Sequence, residues 1–356
     1  MTRRFFKTTG LILTGLLLFS SMTIAQINNF DFLRTSTGDA TKLLTAYMTP
    51  WTKAFGAGLN GGWYNTAKPH KLLGFDLTLS VNAGIVPESE GTYNISALNL
   101  ASVNGSGTAP TVSGATQPGP QLQFMDPTKT YSLATFNAPE GTGFRYIPVP
   151  TLQLGLGLPL GSEVKVRYIP TITIKDGDIG LWGVGLMHNL TQYLPGDKLL
   201  PFDVSLFGGY TKLEGNVPVN IQPQTGIPQS FSPAVSWDNQ KMNVTVTAIT
   251  VSAIASLNLP VVTFYGGLGY SKTNTALKLD GNFPTPVFVT TPTPGPVYNN
   301  SGVKSGASFG EISANDFSGL RANIGLRLKL AILTIHADYT RAQYNVLSTG
   351  LGFSFR

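Results

Sequence analysis

The last twelve residues of the chain constrain its fold more than any other segment. Residues 345–356 alternate strictly, with Leu347, Leu351, Phe353 and Phe355 on one face and mostly small residues on the other. Because successive side chains of a β-strand point to opposite faces, this segment predicts a strand with one bulky apolar face. Lipid covers such a face in a transmembrane β-barrel. A soluble β-sandwich can also end in an alternating strand, so the rest of the chain has to distinguish the two.

The other end of the chain has the pattern of a secretory signal peptide. Three basic residues within the first seven positions precede an apolar run over residues 11–19, and the small residue Ala25 follows a few positions later. The apolar run is too short for a comfortable transmembrane helix. We therefore predict that residues 1–25 are a signal peptide, which is cleaved between Ala25 and Gln26.

Composition favours a membrane barrel over a soluble domain. Charged residues are only 12% of the chain, although hydrophobic residues are an ordinary 42%. Globular proteins carry about 25% charged residues. Without the three basic residues of the signal peptide, 21 basic residues (24 minus 3) face 18 acidic ones, a balance too even to indicate nucleic acid as a partner. The chain has no cysteine, which excludes disulfides, thiol catalysis, zinc–thiolate sites and a lipoprotein anchor.

Several internal segments alternate in the same way, and their polar sets carry charged residues. In a membrane barrel the apolar set faces lipid and the polar set faces the lumen. The residues predicted to line the lumen, or a substrate path through it, are Asp76, Glu163, Lys165, Arg167, Asp203, Arg321, Arg327, His336 and Asp338. The alternation changes phase near Ile249 and Thr250, which predicts a β-bulge at that point.

Two interpretations of these lumenal charges stay open. They can pair across neighbouring strands and with Arg34, Asp39 or Lys42 of the N-terminal segment, because buried charges need partners. They can also form a polar path whose basic groups favour anionic solutes, as rings of charge do in channels. The two interpretations are compatible if the path is gated.

The lengths of the connections predict the orientation of the barrel. Long polar segments at 87–143, 216–240 and 282–315 alternate with short turns, as extracellular loops alternate with periplasmic turns in bacterial barrels. Counting back from the C-terminus gives strands over 344–355, 331–341, 316–329, 261–280, 240–258, 201–214, 178–190, 162–175, 144–158, 74–86 and 56–66. A strand in residues 26–55 or a hairpin within 87–143 would raise this number. The sequence therefore predicts an all-β fold, a transmembrane antiparallel β-barrel of about 12–14 strands over residues 56–356.

Residues 26–55 have helical rather than strand periodicity. Leu43, Leu44, Tyr47 and Met48 have helical spacing, and Pro50 is expected to end the helix. We predict a short N-terminal helix that plugs the lumen, with a position at the periplasmic rim and a disordered arm as alternatives. The predicted plug residues are Arg34, Asp39, Lys42, Leu43 and Tyr47.

Apparent catalytic motifs lack the structural context that their chemistry requires. Residues 56–61 match the glycine spacing of a dinucleotide fingerprint, but no helix is expected after them, so we predict glycines of a barrel strand. Residues 306–310 around Ser308 match a nucleophile elbow, but they lie in a Gly/Ser-rich loop. The three histidines show no metal-ligand spacing. We predict no catalytic residue, no metal and no cofactor.

The chain resembles one family in sequence and another in architecture. Residues 58–76, 164–170 and 183–203 resemble an uncharacterised family of outer-membrane barrels found in Bacteroidetes-type bacteria. The likeness runs from about residue 30 to the C-terminus and implies outer-membrane localisation without implying an activity. An N-terminal plug ahead of a barrel is also similar, in architecture alone, to the fatty-acid transporter barrels.

The C-terminus carries a further resemblance. Gly350, Phe353 and Phe355 resemble the insertion signal by which the barrel-insertion machinery recognises outer-membrane proteins. This chain departs from that signal because it ends on Arg356 instead of on the aromatic residue. The resemblance implies that the insertion machinery and outer-membrane lipid are partners of the protein.

Three hypotheses about function follow from the sequence. The first is passive transport of a small or amphipathic solute, gated by the N-terminal segment. The second is a non-transporting barrel that anchors or assists a larger outer-membrane assembly through a protein partner. The third is an outer-membrane hydrolase. An apolar channel or a lateral opening would favour the first, a packed lumen the second, and a histidine close to Ser308 the third.

Overall fold

A computed structural model describes residues 30–174, 177–196, 200–223, 235–289, 297–313 and 317–355 of the protein. The predicted signal peptide and its cleavage site lie outside these residues. Within them, one sheet of long strands surrounds one long helix, and three small sheets lie at one end.

Ten long strands form the barrel, and each pairs with two neighbours. They are β1 (Phe75–Ile85), β2 (Tyr146–Leu158), β3 (Ser162–Ile174), β4 (Gly177–Asn189), β5 (Phe202–Pro218), β6 (Lys241–Asn258), β7 (Val262–Asp280), β8 (Phe317–Leu330), β9 (Leu333–Arg341) and β10 (Asn345–Phe355). Strands that are consecutive in sequence pair antiparallel, and β1 pairs with β10. The predicted all-β antiparallel barrel is therefore confirmed, and closure removes the exposed sheet edges that an open sheet would have.

The predicted number of 12–14 strands is wrong, because ten strands close the barrel. The strand predicted over residues 56–66 is instead the end of a helix and the start of an extended segment. The additional hairpin predicted within 87–143 does exist, as Gln121–Met125 and Ser132–Asn137, but it belongs to a small sheet outside the barrel. Neither segment contributes to the wall.

The two ends of the barrel differ as the connection lengths predict. Residues 159–161, 259–261 and 331–332 make short turns at one end, where β1 also begins and β10 ends. We call this the turn end. The long connections 86–145, 219–240 and 281–316 lie at the opposite end, which we call the loop end.

One long helix, α1 (Thr37–Asn60), runs from the loop end into the barrel. Ser36 caps it by accepting a hydrogen bond from the backbone N–H of Asp39 at 3.3 Å. The prediction that Pro50 ends the helix is wrong. An interior proline costs about 3 kcal/mol, but the helix is buried on both sides of Pro50 and packing offsets that cost. No helix among the described residues is long and apolar enough to span a membrane.

The chain continues from the helix through the lumen before it enters the wall. Residues 61–74, which we call the strap, contact β5, β6, β8 and then β3 and β10 on their way to the turn end. The strap ends where β1 begins. The helix and the strap together occupy the lumen from the loop end to the turn end.

The polarity of the wall reverses along its length. Near the turn end, β6 presents Val251 and Leu257 outward and Ser252 inward, as a membrane barrel does. Near the loop end the same strand turns Val246 inward, against the helix, and Thr245 outward. The β-bulge predicted at Ile249 and Thr250 is therefore wrong, because the register of β6 with both neighbours continues through these residues. At these residues the groups that contact the inner and outer faces of the strand change, whereas its backbone pairing does not.

Short elements at the loop end form a folded cap over the helix. Their side chains and the first half of α1 form one apolar core. The loop-end residues in this core include Ile95, Val103, Leu122, Phe136 and Phe283. The short strands of this end are Thr92–Asn94, Val103–Asn104, Thr108–Pro110, Gln121–Met125, Ser132–Asn137, Asn282–Val289, Val297–Ser305 and Glu311–Ser313. Within the described residues, the short 3₁₀ helices are Asp31–Arg34, Glu88–Glu90, Ser96–Leu98, Thr191–Tyr193 and Gly306–Phe309. We call residues 86–145, 281–289 and 297–313 the cap.

Candidate functional site in the barrel lumen

All nine residues that the sequence predicts in the lumen occupy inward-facing positions of the wall. They are Asp76 on β1, Glu163, Lys165 and Arg167 on β3, Asp203 on β5, Arg321 and Arg327 on β8, and His336 and Asp338 on β9. All are buried except Asp203, which is partly buried. The helix and the strap separate them into groups at different depths, so they do not form a single ring.

Arg167 binds the C-terminal end of the helix. Its Nη1 donates to the carbonyl oxygen of Leu59 at 2.8 Å, and its Nη2 donates to that of Gly61 at 2.6 Å. Its Nε donates to Gln153 Oε1 at 3.1 Å, and the guanidinium lies over Trp63, 3.7 Å from the ring centroid. This fully buried cation therefore has acceptors at its edges and an aromatic ring on its face.

Arg321 reaches the same helix end from the opposite wall, since β3 and β8 lie five strands apart in a ring of ten. Its Nη1 donates to the carbonyl oxygen of Asn60 at 2.5 Å and to Thr250 Oγ1 at 3.0 Å. Its Nη2 lies 3.5 Å from Thr340 Oγ1, to which it donates. We call Arg167 and Arg321 the arginine clamp.

The clamp neutralises a helix end that would otherwise be costly to bury. The last carbonyl groups of a helix have no partner within the helix, and they carry the negative end of its dipole. Neither clamp arginine forms a salt bridge with an acidic residue in the described part of the chain. The interpretation in which the lumenal charges pair with Arg34, Asp39 or Lys42 is therefore wrong for the clamp, because the helix enters the barrel by its C-terminal end.

Aromatic residues of the strap fill the middle of the lumen. Trp63 packs on Phe207 with their ring centroids 5.4 Å apart. Tyr64 packs against the same ring, and its hydroxyl donates to Asn323 Oδ1 at 2.8 Å. With Met187 and other apolar side chains, they form a second small core, separate from that of the cap.

An ionic network fastens the strap at the turn end. The backbone N–H of His70 donates to Glu163 Oε2 at 2.8 Å, and the ring Nδ1 lies 2.9 Å from the same oxygen. The ring Nε2 lies 3.1 Å from Ser354 Oγ, and Asp76 Oδ1 is 3.7 Å from Nδ1. Lys165 forms an ion pair with the other oxygen of Glu163. These contacts tie the strap to β1, β3 and β10.

Three side chains of this network are of the kinds that ligate metals. His70, Asp76 and Glu163 could each offer one ligand atom, and these atoms lie within 4.8 Å of one another. However, the ammonium group of Lys165 already binds Glu163, and a metal cation would have to displace it. The backbone N–H of His70 also occupies that carboxylate. The donor set therefore fits an ion-pair network rather than a metal centre.

Two further carboxylates accept hydrogen bonds from neutral side chains, and Lys68 Nζ of the strap also lies 3.8 Å from Asp203 Oδ2. The hydroxyl of Tyr265 donates to Asp338 Oδ2 at 3.0 Å. Asp203 accepts from Asn189 Nδ2 at 3.0 Å and from Asn258 Nδ2 at 2.8 Å. The hydrogen bonds of Asp203 join adjacent strands, whereas Tyr265 on β7 reaches past β8 to Asp338 on β9. Both carboxylates therefore crosslink strands of the wall.

The predicted plug residues lie beneath the cap, above the part of the helix that the barrel encloses. Asp39 accepts from the backbone N–H groups of Ala101 at 2.8 Å and Ser102 at 2.6 Å. Burial raises the pKa of Asp39, but the hydrogen bonds from Ser102 and Ala101 outweigh burial and leave the pKa below its usual value. The other four are Arg34, in an ion pair with Asp31, Lys42, which donates to Asn99 O, buried Leu43, and Tyr47, whose hydroxyl donates to Glu140 O.

Ser308 is far from every histidine of the chain. It is an exposed residue at the loop end, in the 3₁₀ helix Gly306–Phe309. His70 and His336 are buried in the lumen, and His188 lies at the turn end, where its Nδ1 is 2.8 Å from Ser162 Oγ. The hydrolase hypothesis, which requires a histidine beside Ser308, is therefore not supported by the described residues.

The residues of the predicted insertion signal lie on the last strand. Phe353 and Phe355 face outward and are exposed. Gly350 faces inward, where a Cβ atom would lie 2.3 Å from His336 Cε1. Phe355 stacks on Phe75 of β1 across the seam that closes the barrel.

A groove of about 470 Å³ runs between the first half of the helix and the cap. Its lining includes Thr41, Lys42, Thr45, Glu90, Tyr93 and Leu98. The hydroxyl of Tyr93 is buried and has no hydrogen-bond partner within the residues that the structure describes. Burial raises the pKa of this phenol.

The strap was missed from the sequence, although it supplies much of the site. Its glycine pair at 61–62 and its Trp63–Tyr64 pair interrupt the helical pattern, and Pro69 follows. None of these residues shows the period-two alternation of a wall strand. An aromatic pair ahead of the first alternating segment was the only available signal.

The fold and the lumen define a class of protein, namely a closed up-and-down β-barrel with an apolar outer belt and a lumen filled by its own N-terminal segment. The chain belongs to a family of unknown function (DUF6588), whose model matches residues 3–355. No curated protein matches the chain.

Three solved structures are similar in outline. The translocator domain of the autotransporter NalP from Neisseria meningitidis is 11% identical, with 88% of this chain and 97% of that chain covered and a TM-score of 0.31. The attachment invasion locus protein Ail of Yersinia pestis is 7% identical, with 80% and 98% covered and a TM-score of 0.24. The outer-membrane protease OmpT from Escherichia coli is 6% identical, with 79% and 97% covered and a TM-score of 0.32. These likenesses transfer no site and no activity.

Proposed function

We propose that the protein is an outer-membrane β-barrel with a closed lumen, which anchors its folded cap at the membrane surface and presents it to a protein partner. The observation that carries this proposal is the filled lumen. Inward-facing residues on opposite walls, such as Thr151, Glu163, Ser205 and Thr250, are 0% exposed. A water-filled pore would leave such polar residues exposed, as in porins.

The outer surface supports the membrane location. Exposed aromatic side chains form two rings, as in the girdles that flank the apolar band of membrane barrels. At the turn end these are Phe75, Phe202, Phe264 and Phe355, and at the level where the wall reverses they are Tyr168, Trp182, Tyr270 and Tyr339. Along β5 the outward apolar belt runs from Phe202 to Tyr210, about 27 Å of strand. These nine residues fit the roughly 9–11 residues with which a tilted β-strand crosses a membrane.

The cap supports a role in recognition. Its long connections are folded on the helix and share a core with it, so they offer a preformed surface. Binding to a preformed surface avoids the entropic cost of ordering a loop. We favour this role over transport because the same elements that build the cap also cover the entrance of the lumen.

The closed lumen is tested by conductance in planar bilayers with the purified mature chain. The wild type is expected to give no discrete conductance. Gly84→Val should open the lumen, because a Cβ at Gly84 would lie 1.8 Å from the carbonyl oxygen of Ala54 in the helix. Gly208→Val is the matched control, since a Cβ at Gly208 meets no atom within 4 Å. Discrete channels from the wild type would overturn the proposal.

The role of the cap is tested by photocrosslinking in native outer membranes. A crosslinking residue replaces Thr128 of the cap in one variant and Leu160 of the turn end in another, both of which are exposed. A discrete protein adduct from the cap position alone is expected. Adducts from neither position, or from the turn end alone, would contradict a partner at the cap.

Gated transport is the second candidate, and one observation favours it. Three polar atoms on neighbouring strands of one wall are buried without a partner in the described part of the chain: Asn82 Oδ1 on β1, and Thr334 Oγ1 and His336 Nε2 on β9. Together with β10 between them, these strands line one side of the lumen. A polar path beside a displaced helix would follow this wall. Wild-type channels that open under an applied voltage would support this candidate.

A further inference from the structure

The N-terminal end of the described chain is held at the loop end. The hydroxyl of Thr285 donates to the carbonyl oxygen of Arg34 at 2.7 Å. Lys304 Nζ donates to the carbonyl oxygen of Leu33 at 2.7 Å and also to that of Thr35. Thr285 and Lys304 belong to the cap. The chain therefore starts its descent from the face that carries the long connections.

From this start the chain passes once through the lumen. Tyr47 contacts Glu140 of the cap, the helix ends in the arginine clamp, and His70 reaches the ionic network at the turn end. β1 then begins at the turn end and pairs with the end of β10. The ten strands cross the height of the barrel ten times, and the helix with its strap adds an eleventh crossing.

An odd number of crossings places Phe30 and the end of β10, the two ends of the described chain, on opposite faces. We infer that the segment ahead of Phe30 emerges on the loop face, while β10 ends on the turn face, so that the barrel displays its N-terminal segment beside the cap. The helix has 24 residues, which span about 36 Å. Four residues between the predicted cleavage site and Phe30 reach at most about 14 Å. They are too short to return to the turn face.

On this path, a peptide fused ahead of Phe30 would be exported through the barrel and displayed on the loop face. Such a peptide crosses to the loop face with the helix, and it stays tethered there by the clamp and the cap. The identity of the loop face as the cell exterior rests on the proposed function. The location of Phe30 and the end of β10 on opposite faces follows from the path of the chain alone.

The absence of cysteine from the chain makes the test direct. Three single-cysteine variants, Asn29→Cys, Ala307→Cys and Leu160→Cys, are treated with a membrane-impermeant maleimide on intact cells and on permeabilised cells. Ala307 is exposed at the loop end, and Leu160 is 79% exposed at the turn end. The position 29 variant should react on intact cells to the same extent as the Ala307 variant. The Leu160 variant should react at least tenfold less until the cells are permeabilised.

Each other outcome has a distinct meaning. If the position 29 variant follows the Leu160 variant while the Ala307 variant reacts on intact cells, the inferred path is overturned and the proposed function stands. If the Ala307 and Leu160 variants react alike on intact cells, the barrel does not separate two faces, and both the inference and the proposed function fail. A short protease-cleavable peptide inserted ahead of Phe30 provides a second readout, since external protease should remove it from intact cells.

Discussion

Replacement of Arg167 by lysine should loosen the helix in the barrel by a measurable amount. Lysine keeps the charge, but its single nitrogen cannot bridge the carbonyl oxygens of Leu59 and Gly61 while also lying over Trp63. One lost hydrogen bond to a charged group costs about 1.5–3 kcal/mol, and the lost cation–π contact costs about 0.5–2 kcal/mol. We therefore expect the free energy of opening the lumen to fall by at least about 2 kcal/mol.

The opening equilibrium can be followed through the reactivity of a buried thiol. Ala57→Cys places a thiol on the helix at a position that is only 4% exposed, in a chain without other cysteines. When closing is faster than labelling, the labelling rate is proportional to the opening constant. A decrease of about 2 kcal/mol in opening free energy then makes Arg167→Lys label about 30-fold faster than the Ala57→Cys parent.

Arg341→Lys is the matched control, because Arg341 is an exposed arginine on the outer face of β9. Surface substitutions usually change stability by less than about 0.5 kcal/mol, so its labelling rate should stay within about twofold of the parent. An Arg167→Lys rate that is also within twofold of the parent would refute the view that the clamp holds the helix. Circular dichroism of each variant checks that the barrel itself is intact.

Three further predictions concern the helix and the cap. Gly84→Val should lower the free energy of unfolding by about 1–3 kcal/mol through overpacking against the helix, whereas Gly208→Val should leave it nearly unchanged; denaturant titration of the two variants decides this. Folding lowers the pKa of Asp39. The ionised carboxylate therefore stabilises the folded protein above its unfolded pKa of about 3.9, and this stabilisation is lost as pH falls through the lower folded pKa. The protection factors of the amides at residues 99–104, which allow for the intrinsic slowing of exchange in acid, should therefore fall between pH 5 and pH 2.5. Asp39→Asn should abolish this fall, and an equal fall in that variant would contradict the assignment. Tyr93→Phe removes a buried hydroxyl without a described partner, so the unfolding free energy should stay constant or rise by up to about 1–3 kcal/mol, and a clear loss would mean that the hydroxyl has a partner.

The wall could be predicted from the sequence because period two persists in every barrel strand. The predicted strand at 261–280 differs from the observed Val262–Asp280 by one residue, and the last strand, predicted at 344–355, is Asn345–Phe355. Lumenal positions such as Arg167 and Arg321 followed from the same alternation. Their partners did not, because the acceptors are backbone carbonyl oxygens of the helix, which no side-chain pattern reveals.

The N-terminal segment was harder to predict because its surroundings override local propensity. Pro50 would end an isolated helix, and glycines at 56 and 58 lower helix propensity further. In the barrel these glycines instead allow close contact with the wall, since a Cβ at Gly58 would lie 2.6 Å from Val149 Cγ2. Tertiary packing therefore extends the helix by ten residues beyond Pro50 to Asn60.

The alternation in β6 was interpreted as a bulge because one rule was applied to the whole strand. The rule that polar residues face inward holds only from the turn end up to the level of Ile249, along which the outer face of the strand is apolar. Above that level Thr245 and Thr247 face outward and Val246 packs on the helix. A change of surroundings on both faces can thus produce the same sequence signature as an inserted residue.

In the proposed membrane location, the reversal of the wall would also set the depth of the protein in the bilayer. On β7 the outward side chains change from Tyr270 to Lys272, and on β5 they change from Tyr210 to Lys212, at neighbouring heights. Sinking by two residues, about 7 Å, would carry these lysines toward the hydrocarbon, where a charge on the lipid face costs up to about 2–4 kcal/mol. Rising by the same distance would expose the lower aromatic ring to water. The vertical position of the barrel is therefore fixed by its own strands, and with it the height at which the cap stands above the membrane.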